Sequence, residues 1–322
     1  LILTGDAITM LCGLESESVQ MCCTSPPYWG LRDYGVDGQL GLEKTPDEYV
    51  ANMVAVFREV RRVLRKDGTL WLNLGDSYAQ GGSGGCSSAS TLTGGGGRYR
   101  EGSKLENMAA KSTARKAPAG LKSKDLVGIP WMVAFALRAD GWYLRSDIIW
   151  HKPNPMPESI KDRPTKSHEY IFLLAKSGTY FYDSDAIKDP AKPESAAKYR
   201  HAFGGQKTEA LIEANKDGIG RRTGVSGKRE PSLERNKRSV WTVTSQPFKG
   251  AHFATFPPKL IRPCILAGSR AGDTVLDPFN GAGTTGLVAL SHRRKYIGIE
   301  INPEYVAMTQ RRLSEIQLEA FV

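Results

Sequence analysis

Four consecutive residues, Ser25, Pro26, Pro27 and Tyr28, bring a hydroxyl, a stiffened backbone and an aromatic ring together. They follow Val19, Gln20, Met21, Cys22 and Cys23, a short apolar run flanked by turn signals that reads as a buried strand. Two successive prolines fix two φ angles and remove two N–H donors. The carbonyls of Ser25 and Pro26 therefore cannot join a helix or ladder and stay free to accept a bond. Such parts suit a planar ring held by its amino group and its π-face. The same residues also read as a strand ending in a Pro-Pro turn, and a second motif is needed to choose.

That motif begins at Thr274, Val275 and Leu276, a short apolar strand ending in Asp277, and continues through Pro278, Phe279, Asn280, Gly281, Ala282, Gly283 and Thr284 into a helix. Glycines let the backbone approach a ligand, and N–H groups at a helix start present positive dipole ends. Phosphate is the usual guest of such a loop, but Asp277 would repel it and suits an ammonium. About 20 residues on, Glu300 ends the next strand, where a carboxylate can take both hydroxyls of a ribose. That spacing alone says only that a nucleoside binds.

Together the two motifs resemble those of the amino-directed (N4-cytosine or N6-adenine) DNA methyltransferases, which use S-adenosyl-L-methionine. The loop matches their D-P-F-x-G-x-G-T pattern, with Ala282 where Ser is frequent. The catalytic motif comes first and the cofactor loop near the C-terminus, the permuted order of the beta group. The resemblance covers about residues 1–80, 126–184 and 240–313. It implies a Rossmann-like α/β fold with a mostly parallel seven-stranded sheet and one antiparallel strand. It also implies that Ser25, Pro26, Pro27 and Tyr28 are catalytic, the Ser25 hydroxyl and Pro26 carbonyl accepting the amine's two N–H bonds while Tyr28 stacks on a flipped base. Asp277 would meet the methionine amine and Glu300 the ribose, with Phe279, Gly281, Gly283 and Thr284 completing the cofactor loop. Asp6 is a candidate for the cofactor's adenine amino group, and equally a helix cap. His252 and Phe256 are candidates for the cofactor pocket, and equally a surface histidine and a core phenylalanine. Trp150, Lys152 and Asn154 are expected to border the target base.

The positioning elements are legible from pattern. Leu1, Ile2 and Leu3 read as a strand and 8–14 as a short helix. Thr45, Pro46 and Glu48 form a helix start, N-cap, first-turn proline and capping box. Tyr49, Met53, Val56, Phe57, Val60, Val63 and Leu64 then recur at helical spacing. Lys66, Asp67 and Gly68 are expected to stop that helix before a strand over 69–74. Further on, 129–138 reads as a helix and 142–150 and 168–175 as strands joined by a linker with three prolines, Pro153, Pro155 and Pro157. The C-terminal part reads as helix 257–267, strand 274–279, helix 284–291, strand 296–301 and amphipathic helix 303–316. The glycine-containing loop 30–41 reads as mobile, able to close over a base. The Gly- and Ser-dominated stretch from 78 to 97 and the basic stretch after it form a mobile surface insertion, about 79–125. The catalytic part is thus 1–184, a target-recognition insertion 185–239, and the cofactor-binding part 240–322.

The 322-residue chain carries a formal net charge of +10. Residues 98–125 hold 8 basic and 3 acidic side chains and 186–240 hold 13 and 7, while the remainder holds 23 basic against 24 acidic. A nearly neutral body with two basic segments suits a polyanion, here double-stranded DNA. The five cysteines are odd in number and lack C-x-x-C spacing, so neither a zinc site nor a disulfide framework is expected. No run approaches the roughly 18 apolar residues of a membrane span, and no signal peptide is visible; the expectation is a cytoplasmic protein, of a bacterium or phage, without a membrane partner. The sequence begins at Leu1 rather than Met. The resemblance leaves room for a cognate restriction endonuclease, and a monomer and a homodimer both stand. Ser25 favours N4 of cytosine as the target, since cytosine-directed members commonly have Ser there and adenine-directed ones Asp or Asn. N6 of adenine is the alternative, and a nucleic-acid-binding protein without catalysis a more distant one.

Overall fold

The strands on which the two motifs end are neighbours in one sheet. The computed structural model describes residues 1–31, 35–79, 120–191, 234–245 and 256–319, over 315–319 the backbone alone. Its strands are β1 (Ile2–Thr4), β2 (Val19–Thr24), β3 (Leu64–Leu74), β4 (Tyr143–His151), β5 (His168–Ala175), β6 (Asp189–Pro190), β7 (Glu234–Arg235), β8 (Val240–Thr242), β9 (Thr274–Asp277) and β10 (Lys295–Glu300). The helices are α1 (Ala7–Cys12), α2 (Pro46–Val63), α3 (Ile129–Ala139), α4 (Pro258–Gly268), α5 (Thr284–Ser291) and α6 (Pro303–Glu319).

The main sheet has the order β1-β10-β9-β2-β3-β5-β4-β8. All its strands run the same way except β5, which is antiparallel to both β3 and β4. The mostly parallel α/β sheet with one reversed strand is thus present, with eight strands where seven were expected. The additional one is β8, which extends the edge by pairing Trp150 with Trp241. Only Trp241 of its three residues is buried. So short a segment carries no period to read, and the partner strand alone makes it a strand.

Helix α2 forms as its signals require. Thr45 Oγ1 accepts from the Glu48 amide at 3.2 Å, and Glu48 reaches back to the Lys44 amide at 3.0 Å. Tyr49, Met53, Val56, Phe57, Val60 and Val63 are all fully buried. Each such side chain contributes roughly 1.5–3 kcal/mol relative to an exposed one. Lys66, Asp67 and Gly68 do not separate helix from strand, because β3 starts directly at Leu64. They lie instead in a bulge, where the register against β2 jumps from Val19–Leu64 to Met21–Thr69. A Cβ on Gly68 would stand 2.9 Å from the Arg65 carbonyl oxygen, so the bulge needs glycine.

Parallel strands collect their C-terminal ends at one edge, where open α/β sheets bind ligands. Because β5 is reversed, its first residues, His168 and Glu169, come to that same edge. Two excursions leave from it. The amides of Ala79 and Lys124 bond across the base of the first at 2.8 Å each; residues 80–119 lie outside the described residues. The second, 30–41, is pinned by Gly30 N to the Gly41 carbonyl at 2.8 Å, with 32–34 outside the described residues.

The chain divides into two compact units, 1–183 with 239–322, and 184–238. In the smaller, the described residues form the antiparallel pair of β6 and β7. Among the described residues no helix is long and apolar enough to cross a membrane.

Candidate active site

At the end of β2 the chain leaves the sheet with Ser25 half-buried. Tyr49 donates its hydroxyl to the Pro27 carbonyl at 2.8 Å, while among the described residues no donor bonds the Pro26 carbonyl. The double-proline turn therefore presents one anchored carbonyl and one open one. Tyr28 lies against the backbone of Gly75, so closely that a Cβ there would come within 2.4 Å of its ring. The ring is fixed on that side.

Its hydroxyl is fixed too. The Ser25 hydroxyl donates to it at 3.4 Å, and two acceptors face it, Glu169 Oε2 at 2.9 Å and Asn73 Oδ1 at 3.2 Å. A phenol has one proton, and the nearer carboxylate takes it. Burial, and next the charge of Glu169, push the Tyr28 phenol well above its ordinary pKa, so it stays a donor. Asn73 is oriented by its own donation to the Tyr170 carbonyl at 3.0 Å. Lys152 pairs with Glu169 Oε1 and stands 4.2 Å over the Trp150 ring.

The second motif lies on β9 and β10. Asp277 is 2% exposed and accepts from Thr24 Oγ1 at 2.6 Å, Thr285 Oγ1 at 2.7 Å and the Phe279 amide at 3.1 Å. Three of its four lone-pair sites are used. Burial nevertheless raises its pKa to about 6, the three bonds opposing that shift. An ionised carboxylate held at this desolvation cost is one that a cationic ligand would relieve. Glu300 accepts from the Gly281 amide at 2.7 Å and the Asn302 amide at 2.9 Å, with its pKa raised by burial. Gly281 and Gly283 adopt φ of 51° and 72°, the left-handed region that glycine enters without strain. Asn280 ties the loop down, accepting from the Tyr296 hydroxyl at 2.7 Å and donating to Thr309 at 2.9 Å. A cationic group near Asp277 and a diol near Glu300 fit this donor set.

The family model for DNA methylases that act at N6 or N4 matches residues 19–311. The chain belongs to this DNA methylase family. It is 49% identical to the Type II methyltransferase M.XycI of Xanthomonas campestris pv. cyanopsidis over 309 residues, 96% of this chain and 86% of that protein. It is 44% identical to the Type II methyltransferase M.SmaI of Serratia marcescens, over 97% of this chain and 90% of that one. In fold it is similar to the cytosine-N4-specific PvuII DNA methyltransferase, with TM-score 0.60 and 19% identity over 97% of this chain and 85% of that one. It is also similar to a DNA modification methylase of Thermus thermophilus, TTHA0409, complexed with S-adenosyl-L-methionine, with TM-score 0.57 and 21% identity over 98% and 93%.

In this methylase Ser25, Pro26 and Tyr28 share one edge with Asp277 and Glu300, and Thr24 joins the two motifs through its bond to Asp277. Phe279 packs against the core, and Thr284 is buried at the start of α5. Asp6 caps α1, accepting from the Thr9 amide at 3.0 Å, and the Thr9 side chain first and that amide second lower its pKa. It also sits beside Glu300, because the Gly5 amide donates to the Glu300 carbonyl at 3.0 Å. Trp150 is buried, its indole N–H held by the Val243 carbonyl at 2.8 Å and its ring covered by the Lys152 ammonium. Asn154 is turned to Ser245, accepting from its amide at 3.2 Å. Phe256 is half-buried ahead of α4, and His252 lies outside the described residues. Sequence reasoning missed Asn73, Glu169, Thr24 and Thr285. Each is a polar residue at or near an end of an otherwise apolar run, and that interruption was the available signal.

Proposed function

We propose that this methylase transfers a methyl group from S-adenosyl-L-methionine to the exocyclic N4 amino group of a cytosine flipped out of double-stranded DNA. When bound, the cofactor supplies a methyl group already activated on a sulfonium. The protein's own task is the amine, whose lone pair is delocalised into the ring. Ser25 Oγ and the open Pro26 carbonyl can accept its two N–H bonds and turn it towards tetrahedral geometry, a gain of positioning and electrostatics. Tyr28, backed by Gly75, offers its other face to the base. Glu300 is assigned to the ribose hydroxyls and Asp277 to the methionine amine, which it reaches through its field and its remaining lone pair.

The observation that carries the cytosine reading is Ser25 itself. Its hydroxyl can accept from the amine of either base while donating onward to Tyr28, so the choice of base rests on a family habit. Serine in this position is the habit of the family's cytosine-directed members. The basic segments 98–125 and 186–240, mostly outside the described residues, are assigned to DNA phosphates, and a cognate restriction endonuclease to the same system. Digestion of methylated DNA to nucleosides, followed by mass identification, should yield N4-methylcytosine. N6-methyladenine as the sole product would replace the base and spare the mechanism, whereas full activity in Ser25→Ala would remove the mechanism.

A further inference from the structure

We infer that Glu169 is the terminal acceptor of the proton released when the amine is methylated, reached from the amine through the hydroxyls of Ser25 and Tyr28. This rests on the function proposed above. Methylating an exocyclic amine makes an N–C bond while the S–C bond breaks and leaves its electron pair on sulfur. The nitrogen then carries one proton too many. That proton points at Ser25 Oγ, and from there the donors run one way, Ser25 to Tyr28 at 3.4 Å and Tyr28 to Glu169 Oε2 at 2.9 Å. As the N–H proton moves to Ser25, the serine proton passes to Tyr28 and the phenol proton to Glu169. Both hydroxyls end neutral, and one carboxylate has become a carboxylic acid.

Other groups at this edge do not offer that route. Asn73 reaches Tyr28 but cannot take up a proton. Asp76 is committed to the amides of Ser77, Gly128 and Ile129 at the start of α3. Asp277 is enclosed by Thr24, Thr285 and Phe279. A weakly basic acceptor is enough, since a protonated ring amine is a strong acid. Before transfer, the same carboxylate polarises the chain of hydroxyls towards itself and so helps to localise the amine's lone pair. Lys152 pairs with Glu169, and a side chain 17% exposed can return its proton to solvent. Because Glu169 acts through Tyr28 and Ser25, it is a positioning residue with a proton-accepting role.

The test uses the full chain, S-adenosyl-L-methionine labelled in its methyl group, and duplex DNA in single turnover. Glu169→Gln keeps an acceptor for Tyr28 but takes no proton, and Tyr28→Phe keeps the ring and breaks the relay. Each should slow transfer by at least about 10-fold, general-base contributions being typically 10²–10⁴. The double variant should be no slower than the slower single one, since the two act as a unit. Cofactor affinity by calorimetry should be unchanged. In the free protein, the Tyr28 phenol, which burial first and Glu169 second hold up, should titrate at lower pH in Glu169→Gln. Rates within twofold of wild type in both single variants, or multiplying losses in the double one, would overturn the relay. Were Glu169→Gln misfolded, Tyr28→Phe alone decides, because it leaves the Lys152–Glu169 pair in place. A wild-type protein that methylates no amine would instead remove the proposed function, and the relay with it.

Discussion

Asp277 should make the stability of this protein depend on pH in a direction opposite to that of an ordinary salt-bridged carboxylate. Its pKa is 3.8 in the unfolded chain and about 6 in the folded one, because burial outweighs the bonds from Thr24, Thr285 and the Phe279 amide. Below about pH 3.8 both states are protonated and the contribution to stability is fully present. As pH rises through about 6 the folded state must hold a buried charge, and that contribution is lost. Each pH unit between the two pKa values corresponds to about 1.4 kcal/mol, so the loss is roughly 3 kcal/mol by pH 7.5. Asp277→Asn keeps the shape and cannot ionise. Its fixed cost, one amide N–H turned towards a donor, does not change with pH. Denaturant unfolding of both proteins from pH 4 to pH 7.5 gives a difference in which the other titrating groups largely cancel. Relative to the variant, the wild type should lose about 2.4 kcal/mol across that window, mostly between pH 4 and 6.5, the first part of the full loss lying below pH 4. A flat difference, or one that rises with pH, would refute the account of Asp277 as a carboxylate held against its desolvation cost.

Four other outcomes are expected, the first two from named contacts. Glu300→Gln, which keeps an acceptor for the Gly281 amide, should fold normally and bind S-adenosyl-L-methionine at least 10-fold more weakly by calorimetry; unchanged affinity would remove the ribose assignment. Gly75→Ala would drive a methyl to within 2.4 Å of Tyr28 and should cost about 1–3 kcal/mol in denaturant unfolding while lowering turnover, and wild-type turnover would show that the ring's seat is unimportant. DNA affinity should fall steeply with salt, and deleting 81–97 should change the unfolding midpoint little; a flat salt response would take DNA phosphates out of the interaction, and loss of cooperative unfolding would contradict the reading of that stretch as a surface loop.

Most of the elements and both motifs are legible along the chain. The signals that start α2 act within four residues, the apolar faces of α2 and α6 repeat over one or two turns, and β5 is a short continuous apolar run, so short-range chemistry suffices to read them. The same holds for the double proline after Ser25 and for the glycines of the Asp277 loop, whose roles follow from backbone freedom. What stands beside them is set by the packing of the sheet. Thr24 reaches Asp277 across 253 positions and Tyr28 reaches Glu169 across 141, and both meetings depend on which strands are neighbours. Glu169 comes to the edge that carries Ser25 and Tyr28 only because β5 runs backwards, which reverses the end of the strand that faces them. The direction of a strand leaves no mark on its alternation of side chains, nor does the identity of its partner. Likewise β8 is a strand because β4 offers it a ladder, and Asp277 has a pKa of about 6 because distant residues bury it. Such properties belong to the packed sheet, where hydrogen-bond partners and desolvation are set by neighbours in space rather than by neighbours along the chain.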